Sequence, residues 1–273
     1  MSKQKKSLVS VIIPAYNAGK YIEEAITSIQ VQTYKDIEII VIDDCSKDNT
    51  VNIVSEIAEK DNRVKLLQNK ENLGIGGNRN KGIEVARGEY ICWQDADDIS
   101  LPRRIERQVE FLKSHPNVGV VGGFIQFFSA HGDGATRRYA VDDSTLRATI
   151  FRYNPVAQPA SMMRAECFDT VGGYDPNYRV SEDLEMLFRI GEYYQFGNVQ
   201  DIVLRYRQTE GSLTASNLKA MEKATLTIRA RYSRSKAYHF GFADRLYNLA
   251  QKLSMSMPSN LRMYVFKKIR GDS

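Results

Sequence analysis

The run Leu8-Val-Ser-Val-Ile-Ile13, followed by Pro14, decides how the chain is read. It is short, β-branched and apolar without alternation, the pattern of a strand buried on both faces. The proline closes it. Outward from it, Lys20 to Gln32 places apolar residues 22, 25, 26 and 29 at helical spacing. Ile37 to Ile42 reads as a second buried strand, ending in Asp43-Asp44-Cys45-Ser46. Asp48 or Asn49 can then cap a helix running to Lys60. Val64 to Gln68 is a third strand, and Asn72-Leu-Gly-Ile-Gly-Gly-Asn78 is a turn that opens a helix to Ala86. Glu89 to Trp93 is a fourth strand, ending in Gln94-Asp95-Ala96-Asp97-Asp98. This alternation predicts an α/β fold: a mostly parallel, twisted, Rossmann-like sheet with helices on both faces. Ligands of such sheets sit beyond the carboxyl ends of the strands. Three polar clusters fall there: Ala15-Tyr16-Asn17, Asp43-Asp44 and Asp95 to Asp98.

The second half is less regular. Pro102 to Ser114 predicts a helix, and Val118 to Phe128 a long strand with a break at Gly122-Gly123. Residues 129–142 suggest a polar turn and a short strand, Ser144 to Phe151 a short helix, and Ala157 to Met163 a strand. Glu182 to Tyr193 has an apolar helical face at 184, 187, 188 and 190, and Val199 to Arg207 is a last strand. Residues 215 to 270 predict two or three helices. The expected division is a catalytic domain over 1–214, with a nucleotide-binding half near 8–98 and an acceptor half near 99–214, then a basic helical extension over 215–273.

Composition narrows the function classes. The 273 residues are 42% hydrophobic and 26% charged, which argues against disorder and against a fibrous repeat. No apolar run reaches the roughly 18 residues a bilayer-crossing helix needs. The basic opening Met1-Ser-Lys-Gln-Lys-Lys-Ser7 is followed by too short an apolar run for a secretory leader. Three scattered cysteines and three histidines offer neither a disulfide framework nor a zinc knuckle, and fit a cytoplasmic location. The net charge of +5 is uneven. Residues 229–273 hold ten Lys/Arg against two Asp/Glu, and the rest of the chain is slightly acidic. A site and an anchor in different places are expected.

Asp95 and Asp97, two residues apart after a buried strand, can point into one space. Hard divalent cations take oxygen ligands and accept phosphates among them, and so few protein carboxylates suit a cation shared with a diphosphate. A solvated acidic helix start is the plain alternative. Asp43 and Asp44 can accept bonds from a ribose hydroxyl or a base N–H, or be loop acids near a helix start. Gly74-Ile-Gly-Gly77 lacks the full GxGxxG spacing, so its glycines read as close backbone approach or a tight turn. Arg79 is a donor to phosphate or base, or an exposed helix arginine. Ser181-Glu182-Asp183 stands at a helix start, where carboxylates are stabilised and one can act as a general base.

In this order the segments resemble the family 2 glycosyltransferases. The resemblance rests on Val9-Ser-Val-Ile-Ile-Pro-Ala-Tyr-Asn17, Gln32-Thr-Tyr34, Val41-Ile-Asp-Asp-Cys-Ser46, Asn72-Leu-Gly74 with Arg79-Asn80, Gly88-Glu-Tyr-Ile91 and Asp95-Ala-Asp-Asp98. Val171-Gly-Gly-Tyr-Asp175, Glu182-Asp183 and Tyr206-Arg207 extend it to about residue 214. It implies a GT-A fold, a nucleotide-diphospho-sugar donor, Mg²⁺ or Mn²⁺, and inversion at the anomeric carbon. By motif, Pro14, Ala15, Tyr16 and Asn17 would line the base and ribose pocket. Asp44 and Asp43 would take the uracil or ribose, with Asn72, Gly74, Arg79, Ala96 and Glu182 around the donor. Asp95 would hold the ribose or a water on the metal, Asp97 would ligate the metal, and Asp183 would be the general base. One departure stands out: Tyr206-Arg-Gln-Thr209 has Thr209 where many relatives carry a histidine. A hydroxyl is the poorer metal ligand, so Arg207 or Arg205 is expected to compensate on the phosphates.

The tail mixes basic residues with Phe240, Phe242, Leu246, Leu249, Leu253 and further apolar residues to Phe266. Such a segment suits an anionic membrane surface, and packing on the body or a homodimer contact is the alternative. Peripheral membrane contact through 229–270 is therefore expected, at the inner face of the plasma membrane. The resemblance points to a glycan or lipid-linked acceptor in surface polysaccharide assembly, with UDP the favoured nucleotide. A nucleotidyltransferase would carry a Gly-rich, Arg-containing loop where this chain reads Pro14-Ala-Tyr-Asn-Ala-Gly19. A catalytically impaired sugar-nucleotide scaffold is argued against by the intact Asp97 and Asp183. The tail carries no nucleic-acid-binding motif. Gln158, Trp93 and Arg164 are the sugar-contact candidates.

Overall fold

The computed structural model describes residues 7–209, 218–255 and 257. Strands and helices alternate first: β1 (Val9–Ala15), α1 (Ile22–Gln30), β2 (Ile37–Asp43), α2 (Thr50–Lys60), β3 (Val64–Gln68), α3 (Gly74–Val85) and β4 (Tyr90–Trp93). Then come β5 (Ile99–Ser100), α4 (Arg104–Ser114), β6 (Val118–Ser129), β7 (Gly132–Arg137) and α5 (Asp143–Thr149). A 3₁₀ turn (Gln158–Ala160) leads into β8 (Met162–Arg164), α6 (Glu166–Val171), α7 (Glu182–Gly191) and β9 (Gln195–Arg207). Two helices follow, α8 (Leu218–Tyr232) and α9 (Phe242–Ser254). None of the described helices is long and apolar enough to cross a membrane.

The strands form one sheet in the order β3-β2-β1-β4-β8-β6-β9-β5, with β7 hairpinned on β6. β1 to β4 are parallel, as the alternation requires. β8 runs antiparallel between β4 and β6, so the second half of the sheet is mixed. In β1, Val9, Val11 and Ile13 join the core under α1, α2 and α4, while Ile12 joins the opposite core with α6, α7 and Ile228 of α8. Both faces are covered, which is why these strands read as continuous apolar runs.

Several boundaries differ from the sequence reading. β1 continues through Pro14, which pairs with Ile42, to Ala15. Its ladder with β4 ends at Ile12, so the missing N–H of Pro14 points where no strand stands. α3 begins at Gly74 rather than after Asn78, because Gly74 takes φ +71° and turns the chain directly into the helix. Further along α3, a Cβ on Gly82 would lie 2.4 Å from Ile12 Cγ2, so that glycine sets how closely the helix approaches β1. Residues 157–163 split into the 3₁₀ turn and β8. β6 runs unbroken through Gly122-Gly123, and its register against β9 shifts just after them. β5 and α6 went unread: two residues and six residues are too short for a period to be recognised.

The C-terminal helices rest on the body. Tyr232 Oη donates to Glu185 Oε1 at 3.0 Å and Tyr238 Oη to the Phe188 carbonyl at 2.7 Å, both on α7. Arg229, one of the basic residues expected to face a membrane, is buried between Gln251 and the Arg152 carbonyl.

Candidate functional site

The three polar clusters lie at the carboxyl ends of β1, β2 and β4, on one rim. After β1, Asn17 takes φ +49°. Its N–H donates to Ser46 Oγ and its Oδ1 accepts from Lys47 N–H, both at 2.8 Å, which pins the β1 loop to the β2 loop. Pro14 and Ala15 are buried in the strand, and Tyr16 is exposed on the rim.

At the end of β2 the two aspartates divide their work. Asp44 Oδ1 accepts from Leu73 N–H and Asn69 Nδ2, both at 2.8 Å, and Oδ2 accepts from Gly74 N–H at 2.9 Å. Asn72 Nδ2 reaches the Asp44 carbonyl at 3.1 Å. Asp44 therefore caps α3 and holds the glycine-containing loop, with three donors already on its carboxylate. Asp43 differs: Oδ2 accepts from Ser46 N–H at 3.1 Å, and the buried Oδ1 has no donor. Asp43 is the member of the pair with an oxygen left for an N–H or O–H of a ligand.

After β4, Gln94, Ser100 and Arg104 form a buried network beneath the acidic turn. Gln94 Oε1 accepts from Ser100 Oγ at 2.6 Å and from Arg104 Nη1 at 3.1 Å. Above it, Asp98 Oδ1 accepts from Arg207 N–H at 2.8 Å, and the buried Asp98 Oδ2 has no donor. The Arg207 Nε donates to the Asp97 carbonyl at 2.7 Å, its guanidinium pairs with Glu24, and it lies 4.4 Å from the ring centroids of Tyr21 and Phe128. Arg205 pairs with Asp133. Both arginines expected to compensate on the phosphates thus have protein partners. Arg207 instead locks β9 onto the acidic turn. Ala96 packs against the core beneath.

Burial pushes the carboxyls of this turn up, and their mutual repulsion adds to it. Asp95 reaches about 6, drawn back by Arg79 and raised further by Asp97 and Asp183. Asp97 is raised, and Asp98 well above the ordinary range, with Asp95 and Asp97 adding to its burial. Among the described residues no three His, Cys, Asp or Glu side chains are arranged as a closed metal cage. A partly buried acidic turn with an unpartnered oxygen on Asp98 nonetheless fits a divalent cation that takes its other ligands from a diphosphate.

Arg79 is the centre of the site rather than an exposed helix arginine. It is 5% exposed. Its Nη1 donates to Glu182 Oε1 at 2.6 Å, and its Nη2 lies 3.8 Å from Asp95 Oδ1. Its guanidinium lies 5.7 Å from the Trp93 ring and 5.4 Å from the Tyr174 ring. Glu182 is buried and pushed up to about 7, with Arg79 opposing the shift and Asp183 adding to it. Residues more than a hundred positions apart are thereby joined: α3, the β4 turn and the start of α7.

Asp183 stands beside this pair in the first turn of α7, and Asn154 Nδ2 donates to its Oδ2 at 3.2 Å. Asn154 was not singled out from sequence, and no motif marks it. Its loop is gripped by the C-terminal helices. Arg229 Nη2 donates to the Arg152 carbonyl at 2.8 Å, Asn248 Nδ2 to the Phe151 carbonyl at 3.0 Å, and Arg152 Nε to Asp244 Oδ1 at 2.8 Å. Ser181, in the left-handed region at φ +60°, meets Thr225 Oγ1 of α8 at 3.2 Å. The sugar-contact candidates all have protein partners. Trp93 is buried against Phe168 and Tyr174. Arg164 donates to the Val118 and Leu112 carbonyls. Gln158 donates to Tyr174 Oη at 2.6 Å and keeps one buried, unpartnered oxygen.

With this geometry in place, comparison with known proteins settles the class. Residues 10–171, more than half of the chain, match Glycosyl transferase family 2, and the chain belongs to that family. An uncharacterized glycosyltransferase, MJ1057, of Methanocaldococcus jannaschii is 31% identical over 214 residues, covering 76% of this chain and 73% of that protein. An uncharacterized glycosyltransferase of Haemophilus influenzae is 32% identical over 219 residues, covering 77% and 68%. Among solved structures, S. aureus TarS 1–349 in complex with UDP-GlcNAc superposes with a TM-score of 0.65 at 20% identity, covering 96% of this chain and 85% of that one. Mannosyltransferase PcManGT from Pyrobaculum calidifontis, in complex with GDP-Man and Mn²⁺, superposes with a TM-score of 0.66 at 19% identity, covering 93% and 71%. These two share the GT-A fold with this chain.

Proposed function

We propose that this protein moves a hexose-type sugar from a nucleotide-diphospho-sugar, favouring UDP, to a hydroxyl of a glycan or lipid-linked acceptor, with inversion, in surface polysaccharide assembly. The observation that carries the reading is the buried join of Arg79 to Glu182 and Asp95, which sets Asp183 beside the acidic turn at the carboxyl ends of the strands. TarS with UDP-GlcNAc and PcManGT with GDP-Man are sugar-nucleotide complexes on the same fold, which supports a donor of that class.

The roles follow from the contacts. Asp43 Oδ1, buried without a donor, accepts from the nucleobase or ribose. Asp44 holds Leu73 and Gly74 so that the α3 loop borders the donor. Asp97 and Asp95 would hold Mg²⁺ or Mn²⁺. Such an ion neutralises the charge that grows on a departing diphosphate, worth several kcal/mol. Asp183 takes the proton of the attacking hydroxyl, and the Asn154 amide fixes which carboxylate oxygen is turned away from it. Base catalysis of this kind contributes about 10²–10⁴-fold. Glu182, neutralised by Arg79, orients the helix start rather than competing for the proton. Attack from the Asp183 side in a single displacement gives inversion.

The test is calorimetric titration of the full chain with UDP, dTDP and GDP, each with Mn²⁺ and again with EDTA. UDP is expected to bind with Mn²⁺ and to lose most of its affinity in EDTA. Absence of binding by all three nucleotides would refute the donor site.

A further inference from the structure

We infer that the outward face of α9 docks on an anionic lipid surface. Phe242, Leu246, Leu249 and Leu253 are 81, 56, 53 and 64% exposed. At 100° per residue they fall in one arc about 60° wide, with the small Ala243 and Ala250 beside them. The opposite side of the helix is committed to the body: Asp244 to Arg152, Asn248 to the Phe151 carbonyl, and Gln251 to Arg229. The apolar stripe is therefore the outward, exposed side of a firmly seated helix. Single exposed leucines are ordinary, but four large side chains in one stripe are not.

Charge selects the occupant. Between Lys223 and Met257 the chain has seven Lys/Arg and one acid, Asp244, which is buried against Arg152. On α9 the exposed charges are Arg245 and Lys252, which share one flank of the stripe. A second copy of the chain is the other candidate, since the 4-3-4 spacing of the stripe is that of a coiled-coil seam. The residues flanking such a seam would be Arg245 and Lys252 on one side and Ala243 and Ala250 on the other. These flanks carry no acid to answer the basic pair, and about three turns of seam are short for a stable dimer. An anionic bilayer answers both features, with the apolar arc in the acyl boundary and the basic flank among headgroups. This narrows the surface from the whole basic tail to one helix face, because Arg229 is spent on packing and the apolar stripe lies on α9.

The same helix grips Phe151 and Arg152, three and two residues before the Asn154 that bonds Asp183. Docking through α9 would bring the acceptor side of the site near the bilayer, within reach of a lipid-linked acceptor. This last step rests on the glycosyl-transfer reading; the docking itself does not.

Co-sedimentation of the full chain with 3:1 phosphatidylcholine:phosphatidylglycerol vesicles, and with phosphatidylcholine alone, tests it. Binding is expected to the anionic vesicles and to weaken with salt. The pair Leu246→Gln/Leu249→Gln should reduce it at least tenfold with an unchanged melting temperature. The pair Arg245→Gln/Lys252→Gln should cost about fivefold per charge. Asp183→Asn should bind vesicles as the wild type does, which separates docking from turnover. Three outcomes would overturn the inference: no vesicle binding, binding untouched by the leucine pair, or a leucine pair that instead converts a dimer to a monomer.

Discussion

Replacing Arg79 by methionine tests the centre of the site most directly. Methionine keeps much of the volume and removes the charge. Glu182, 2.6 Å away and buried, then has no cation, and Asp95 loses its nearest one. Breaking a buried pair in this way costs about 3–5 kcal/mol. At roughly 2–4 °C per kcal/mol for a chain of this order of size, the melting temperature should fall by about 6–20 °C. The loss should also depend on pH. In the wild type, burial has raised Glu182 from its ordinary 4.5 to about 7. Its carboxyl therefore adds stability below pH 4.5, and that contribution is lost as pH rises to about 7, beyond which it is flat. Without Arg79 the carboxyl titrates higher still, so the variant keeps losing stability above pH 7. The slope is about 1.4 kcal/mol per pH unit, or about 2 kcal/mol between pH 7 and 8.5. Thermal melts of both proteins at pH 6.0, 7.0 and 8.5 measure this. A gap between wild type and variant that is the same at pH 7.0 and 8.5, or below 1 kcal/mol throughout, refutes the central role given to the pair.

Four further outcomes follow from the contacts described. Asp183→Asn should bind donor nucleotide normally and lower kcat at least about a hundredfold, and Asn154→Ala should lower kcat with little change in donor KM; steady-state kinetics separates the two parameters. Asp97→Ala should abolish the Mn²⁺-dependent part of UDP binding in calorimetry, while a retained EDTA-sensitive signal would remove Asp97 from the metal site. Gly82→Ala should cost about 1–3 kcal/mol in chemical denaturation, since its Cβ meets Ile12 Cγ2 at 2.4 Å on a packed strand.

Much of the first half was legible in the sequence because its information is local. A β-branched run, a helical period and an acidic turn are each complete within about a dozen residues. β3 was placed residue for residue, and β2 and α2 to within a residue at their ends. The rule that ligands gather at the carboxyl ends of parallel strands then collects Asp43, Asp95 and Asp97 on one rim from the sequence alone. The second half resisted because its strands are interleaved: β8 enters between β4 and β6 with three residues, and β5 closes on β9 with two. Pairings that short leave no period to read.

The chain by itself determined the parallel βαβ order, the rim, and the family that its motifs resemble, since those rest on local pattern and on residue order. Only the tertiary structure decided which charges meet. Arg79 and Glu182 are 103 positions apart, and nothing in either segment announces the other. Asp44 caps α3 because the chain folds two backbone N–H groups onto it from 29 and 30 positions away. Asn154 became the partner of Asp183 because helices from the far end of the chain hold its loop. The stripe on α9 faces outward because its polar face is the one that packs on the body. Each is a choice between partners separated by long stretches of chain, and folding makes it by burial and charge pairing.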